Sequence, residues 1–323
     1  MADAATTTRP LAAPSPTPRA PALPLRWLGV LPFFLFVGLF LILPTMWIVI
    51  GAFQRTGGGW TFDNVLEVLR TESIRNAYWV SIKVSFWSAL LGCVIGFVMA
   101  ASVVLWGVSK RVRNPLLTFS GVASNFAGVP LAFAFIATIG PAGLITLWLR
   151  TELGIVLQGG VWNVPEGFWL AGLLPDQVRF PRFTILSSWG LIITYLFFQI
   201  PLMILIITPA LDGLRKEWRE AAQVLGATGF QYWRMVALPI LFPSILGCMA
   251  LLFANAFGAV ATAIALTGPA LNIAPILLYA QIRGDVLGNP HLGYALALGM
   301  IVITAVANAL YILLRARSER WLK

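Results

Sequence analysis

The sequence predicts an all-α integral membrane protein with six transmembrane helices. Three observations carry that prediction: the composition, six long apolar runs, and basic residues gathered in the short segments between them. Of 323 residues, 59% are hydrophobic and 11% charged, whereas a soluble domain carries about a quarter charged residues. So much apolar surface needs lipid to cover it. The formal net charge of +10 does not point to nucleic acid, because the cations lie in clusters between apolar runs rather than along one face. Cys93 and Cys248 both fall inside apolar runs without metal or redox spacing, and read as packing residues.

Residues 1–25 are rich in Ala, Pro and Thr and lack apolar periodicity, as expected of a disordered cytoplasmic tail. The run Trp27–Phe53 that follows is longer than the roughly 7–15-residue core of a signal peptide. No small-residue cleavage site comes after it. Residues 26–74 are therefore read as a retained first transmembrane helix and its outer loop, and residues 75–323 as the core of the protein. The other runs are Trp79–Val108, Leu116–Leu149, Phe183–Leu211, Ile240–Thr267 and Leu292–Leu314, each long enough to span at about 20 residues. The third is interrupted by Pro130 and by Gly140-Pro141.

Six spans put both termini on one side. That side carries 14 Lys and Arg residues, among them Lys110, Arg111, Arg113, Arg215, Lys216, Arg219 and Arg234, against seven on the other. The excess of cations marks it as cytoplasmic.

The most informative stretch is EWREAAQVLGATGFQYWRMVALPIL, Glu217–Leu241, which lies on the cytoplasmic side between the fourth and fifth spans. Ala221 and Ala222 favour helix and add little bulk, so a partner surface can come close. Glu217 and Glu220 are expected near the start of a short helix, where its dipole favours negative charge. Gly226 can adopt a left-handed conformation and end that helix. Pro239 suits the first turn of the next span, where a missing N–H costs nothing. The bland alternative is a solvated connecting loop with ordinary caps.

Glu220-Ala221-Ala222, three residues, Gly226, nine residues, then Val236-Ala237-Leu238-Pro239 resembles the "EAA" loop of inner-membrane permease subunits of binding-protein-dependent ABC importers. Val236 stands where that pattern usually has Ile. The resemblance runs from about Arg75 to the C-terminus and implies the type I importer fold. It implies that the loop 212–239 couples to cytoplasmic ABC ATPase subunits through Glu220, Ala221, Ala222, Gly226, Leu238 and Pro239. It also implies a second permease subunit (the same chain or a different one) and an extracytoplasmic solute-binding protein.

The chain contains no Gly-Lys pair and hence no phosphate-binding loop of the Walker type. It is read as holding no cofactor itself and as no enzyme; ATP and Mg would be bound by the partner ATPase. No metal site is expected. His291, its only histidine, reads as a loop residue rather than a catalyst.

Asn125, Tyr195, Gln199, Asn255 and Thr262 are polar groups in apolar surroundings, which face a bundle interior or a water-filled path. They either line the translocation route or hydrogen-bond between helices. Gly92 and Gly96 permit close helix contact, and Lys83 can snorkel to the interface. The shortage of carboxylates inside the spans counts against an ion-coupled secondary transporter, and a scaffold would not need the loop motif. The stretch FANAFGAVATAIALTG and the interrupted third run look most like the polyamine-type branch of these permeases. Phosphonate, thiamine, ferric iron, sulfate and sugar remain alternative substrates.

Overall fold

The computed structural model describes residues 29–55, 57–105, 109–164, 175, 177–284 and 289–319. The tail read at 1–25 lies outside them. Contacts divide the chain into two units at Trp47/Ile48, so the stretch 48–74, grouped above with the first span, belongs with the rest of the protein.

The first unit is helix α1 (Leu31–Val37), a π-helical stretch (Gly38–Ile42) and the opening of α2 (Leu43–Ala52). Its Phe33, Phe36, Phe40 and Leu41 are at least 60% exposed. A helix apolar all round and of this length is a membrane span.

The second unit continues with α3 (Asp63–Arg70), α4 (Glu72–Leu105), α5 (Lys110–Asn125), α6 (Val129–Ile139) and α7 (Leu144–Glu152). Three short strands follow, β1 (Ile155–Val156), β2 (Val161–Asn163) and β3 (Gln177–Arg179). They pair antiparallel in the order β1-β2-β3, with Ile155 opposite Trp162 and Trp162 opposite Val178. The remaining helices are α8 (Ser188–Asp212), α9 (Lys216–Val224), α10 (Gly229–Tyr232), α11 (Leu238–Phe257), α12 (Val260–Thr267), α13 (Ala274–Arg283) and α14 (Pro290–Glu319).

Six helical stretches among the described residues are long and apolar enough to cross a membrane: Leu31–Ala52, Glu72–Val104, Val129–Glu152, Ser188–Asp212, Gly229–Phe257 and Pro290–Ala316. The third and fifth differ from the runs read in the sequence. The third run is three helices, broken at Phe126–Gly128 and around Gly140, and its first part, α5, is too polar to count as a span. The fifth ends at Phe257; α12 and the 3-10 turn after it make an 88° bend with α13. Apolar residues fill both sides of these breaks, so hydropathy cannot reveal them. The backbone reason is plain at Gly128 and Gly268, whose φ of +77° and +50° suit only glycine.

Helices α4 and α8 form the spine. At Gly92 an added Cβ would stand 2.9 Å from Gln199 Cβ, and at Gly96 2.6 Å from Met203 Cβ. The Gly-x-x-x-Gly pair therefore serves close packing within one chain. One buried cluster fills the space between the loop-side halves of α4, α8 and α11 and includes Cys93, Met203, Ile207, Leu241 and Cys248. Another gathers Leu131, Leu191, Tyr195, Phe198 and Leu266 around α6, α8 and α12. Lys83 is exposed on α4, with its ammonium 5.0 Å from the Trp79 ring centre.

Candidate functional site: an exposed helix and two pinned helix breaks

Helix α8 ends at Asp212, whose carboxylate takes an ion pair from Arg113 on α5. The chain then turns through Gly213 and Leu214 into α9. No residue of α9 is buried. Only Glu217 lies in its first turn; Glu220 sits a turn further in, where the dipole no longer reaches it. The expectation that both glutamates stabilise the helix start is corrected to Glu217 alone.

The end of α9 is a complete Schellman turn. Gly226 has φ +78°, its N–H donates to the Gln223 carbonyl at 2.9 Å, and the Ala227 N–H donates to the Ala222 carbonyl at 2.9 Å. An added Cβ at Gly226 would meet nothing within 4 Å. Glycine is needed there for its backbone, and the surrounding space is open.

Two residues later the chain starts a helix again. Thr228 accepts from the Gln231 N–H at 3.3 Å while Gln231 Oε1 accepts from the Thr228 N–H at 2.7 Å, a reciprocal capping box. A π-helical turn, Trp233–Ala237, carries the helix without a break into α11, so Pro239 lies inside the span Gly229–Phe257 and not in its first turn as expected. Val224, Leu225 and Phe230 are 88%, 86% and 74% exposed, so an apolar patch caps the turn. Glu220 and Ala221 are exposed beside it and Ala222 is half-buried. Leu238 and Pro239 are exposed at the foot of α11. Behind α9 lies a cleft of about 470 Å³ lined by Arg215, Lys216, Arg219 and Glu220.

The five polar residues of the spans separate into two groups. Asn125 and Asn255 are exposed, each beside a helix break. Tyr195, Gln199 and Thr262 are at most 2% exposed and hold the fold together. Thr262 Oγ1 accepts from the Gly128 N–H at 2.7 Å, pinning the break between α5 and α6 to α12. The Tyr195 hydroxyl donates to the Ala259 carbonyl at 3.0 Å, pinning the break between α11 and α12 to α8. Gln199 Nε2 donates to Ser88 Oγ at 3.1 Å, joining α8 to α4. These three occupy positions inside the bundle rather than on an exposed face.

Sequence reasoning missed the Arg113–Asp212 pair, the three-stranded sheet and both pins. The Thr-x-x-Gln spacing of the capping box was available. His291, read as a loop residue, sits in the first turn of α14, with its Nδ1 3.1 Å from the Gly51 carbonyl of α2. Trp162 Nε1 of β2 donates to the Leu153 carbonyl at 2.8 Å.

Residues 92–323 match the family described as "Binding-protein-dependent transport system inner membrane component". The chain belongs to this family. It is a multi-pass inner-membrane permease subunit of an ABC importer, with the type I fold, and a transport component rather than an enzyme. A probable sulfate transport system permease of Chlorella vulgaris is 26% identical over 258 residues, covering 78% of this chain and 86% of that protein. A spermidine/putrescine transport system permease of Escherichia coli K12 is 28% identical over 121 residues, covering 38% of this chain and 45% of that protein. A bacterial ABC transporter involved in alginate import has a chain with TM-score 0.66 at 17% identity, covering 93% of this chain and 96% of that one. At that identity the likeness concerns the fold.

Proposed function

We propose that this permease passes a small solute inward and takes its driving force through α9, which docks on a cytoplasmic ATPase subunit. The observation that carries this reading is the loop motif folded as an exposed helix, closed by the Gly226 turn and capped by Val224, Leu225 and Phe230. An apolar patch standing free at a polar surface marks a protein contact. ATP and Mg belong to that partner subunit. A second permease subunit completes the path, and an extracytoplasmic binding protein delivers the solute. Both termini and α9 share the cytoplasmic side, as the loop charges require.

Asn125 and Asn255, exposed at the two helix breaks, are the residues best placed to line the route. Broken helices in a membrane are tolerated where they line a cavity. Tyr195 and Thr262 position those breaks.

For the solute, the reading shifts from polyamine toward an inorganic oxyanion such as sulfate. Several relatives carry sulfate names, and the spans contain no carboxylate in their interior among the described residues. A polycation would need such groups for its charge. Polyamine stays as the second reading, supported by the spermidine/putrescine relative. The test is uptake of labelled sulfate and labelled spermidine by cells expressing the complete importer. Sulfate uptake that depends on this chain is expected; spermidine uptake alone would reverse the order, and uptake of neither would exclude both.

A further inference from the structure

A second feature lies beside the loop and shares Leu238 and Pro239 with it, but the reading above gives it no role. An apolar groove of about 590 Å³ runs between the middle of α4 and the foot of α11, walled by Val94, Phe97, Val98, Phe242 and Ile245. Val94, Val98 and Phe242 are 54%, 57% and 49% exposed, so the groove opens sideways. One wall is stiffened by Phe97, whose ring meets Trp233 edge-on at 6.2 Å.

Among the described residues, Arg234 is the one charged residue lining the groove. It sits in the π-helical turn one turn before α11 begins, and therefore at the loop end of the groove. Among the described residues it has no carboxylate and no hydrogen-bond partner. Water would find few polar partners along such a lining. A solute path would hardly place a single cation above a wholly apolar trough.

We propose that this groove holds one anionic phospholipid, with an acyl chain along α4 and α11 and the phosphate on the Arg234 guanidinium. The ligand has two parts and so has the site. Guanidinium matches phosphate with paired hydrogen bonds, and the groove supplies the apolar remainder. The leaflet on this side is the anionic one in cells, a point that rests on the loop side being cytoplasmic.

The importer complex, extracted in mild detergent, is assayed by mass spectrometry for lipid retained per permease chain. Wild type should retain phosphatidylglycerol several-fold over its share of the membrane. Arg234→Gln should remove that enrichment with phosphatidylethanolamine unchanged, and Arg234→Lys should keep part of it. Val98→Trp, which fills the groove and leaves the cation, should also remove it. No enrichment in wild type, or equal enrichment in Arg234→Gln, overturns the proposal. So does cross-linking of Val98→Cys to a second permease chain, which would make the groove a subunit contact. ATPase subunits are counted in the same preparations, so a failure of the coupling reading appears as their absence while lipid retention is scored independently.

Discussion

At the scale of single residues, positions that look alike in sequence do different physical work. Thr262 was one polar residue among five in apolar surroundings; its hydroxyl accepts the Gly128 N–H at a break no helix can satisfy. Thr262→Val keeps the shape and removes the acceptor. Leaving that N–H without a partner should cost about 1–3 kcal/mol. The melting temperature of the detergent-solubilised protein should fall for Thr262→Val and hold for Thr262→Ser. Equal melting of all three would mean the bond contributes nothing. Gly226 poses the opposite problem. Its φ of +78° strains any residue with a Cβ, by about 1 kcal/mol or more, yet the space around it is open. Asn tolerates this region best of the other residues. Uptake should therefore decline from Gly226 through Asn to Val, while the amount of protein in the membrane stays level.

At the scale of elements, contact distance decides which glycines matter. Gly96 faces Met203 Cβ and the Ile200 carbonyl across the α4–α8 seam, at 2.6 and 2.9 Å from where a Cβ would be. Gly121 on α5 has nothing within 4 Å. Gly96→Leu should force the spine apart, lowering both accumulation and melting temperature. Gly121→Ala should be neutral or raise melting, since Ala is the better helix former by about 1 kcal/mol. If Gly96→Leu accumulates and melts like wild type, the seam is looser than these distances allow. The elements also show where the sequence was legible. Runs of apolar residues located the spans because lipid solvation acts on whole segments. The close of α9 was legible at Gly226, because a left-handed turn has a residue signature. The breaks at Phe126–Gly128 and Gly258–Ala259 were only half so. Gly128-Val129-Pro130 hinted at the first, but Gly258 inside an unbroken apolar run gave nothing to set against continued helix. The pins from Tyr195 and Thr262 depend on residues 64 and 134 positions away, which no local pattern encodes.

At the scale of the whole molecule, the account assigns a topology and a power input. The proposed topology, read from the charge bias, has α9 and both termini in the cytoplasm and β2 outside. In intact cells, an impermeant thiol reagent should label Asn163→Cys and leave Ser318→Cys untouched; labelling at 318 alone would invert the protein. The power input is the central claim: ATP hydrolysis reaches the spans through α9 and its Gly226 turn. Gly226→Asp tests it most directly, because the strain and the added charge both fall on the docking helix while the spans are left as they are. Uptake and co-purified ATPase subunit are measured for this variant and wild type at matched membrane levels. The account predicts a normal amount of permease, with uptake abolished and the ATPase lost or hydrolysing ATP without transport. Normal uptake with a normal complement of ATPase would contradict it.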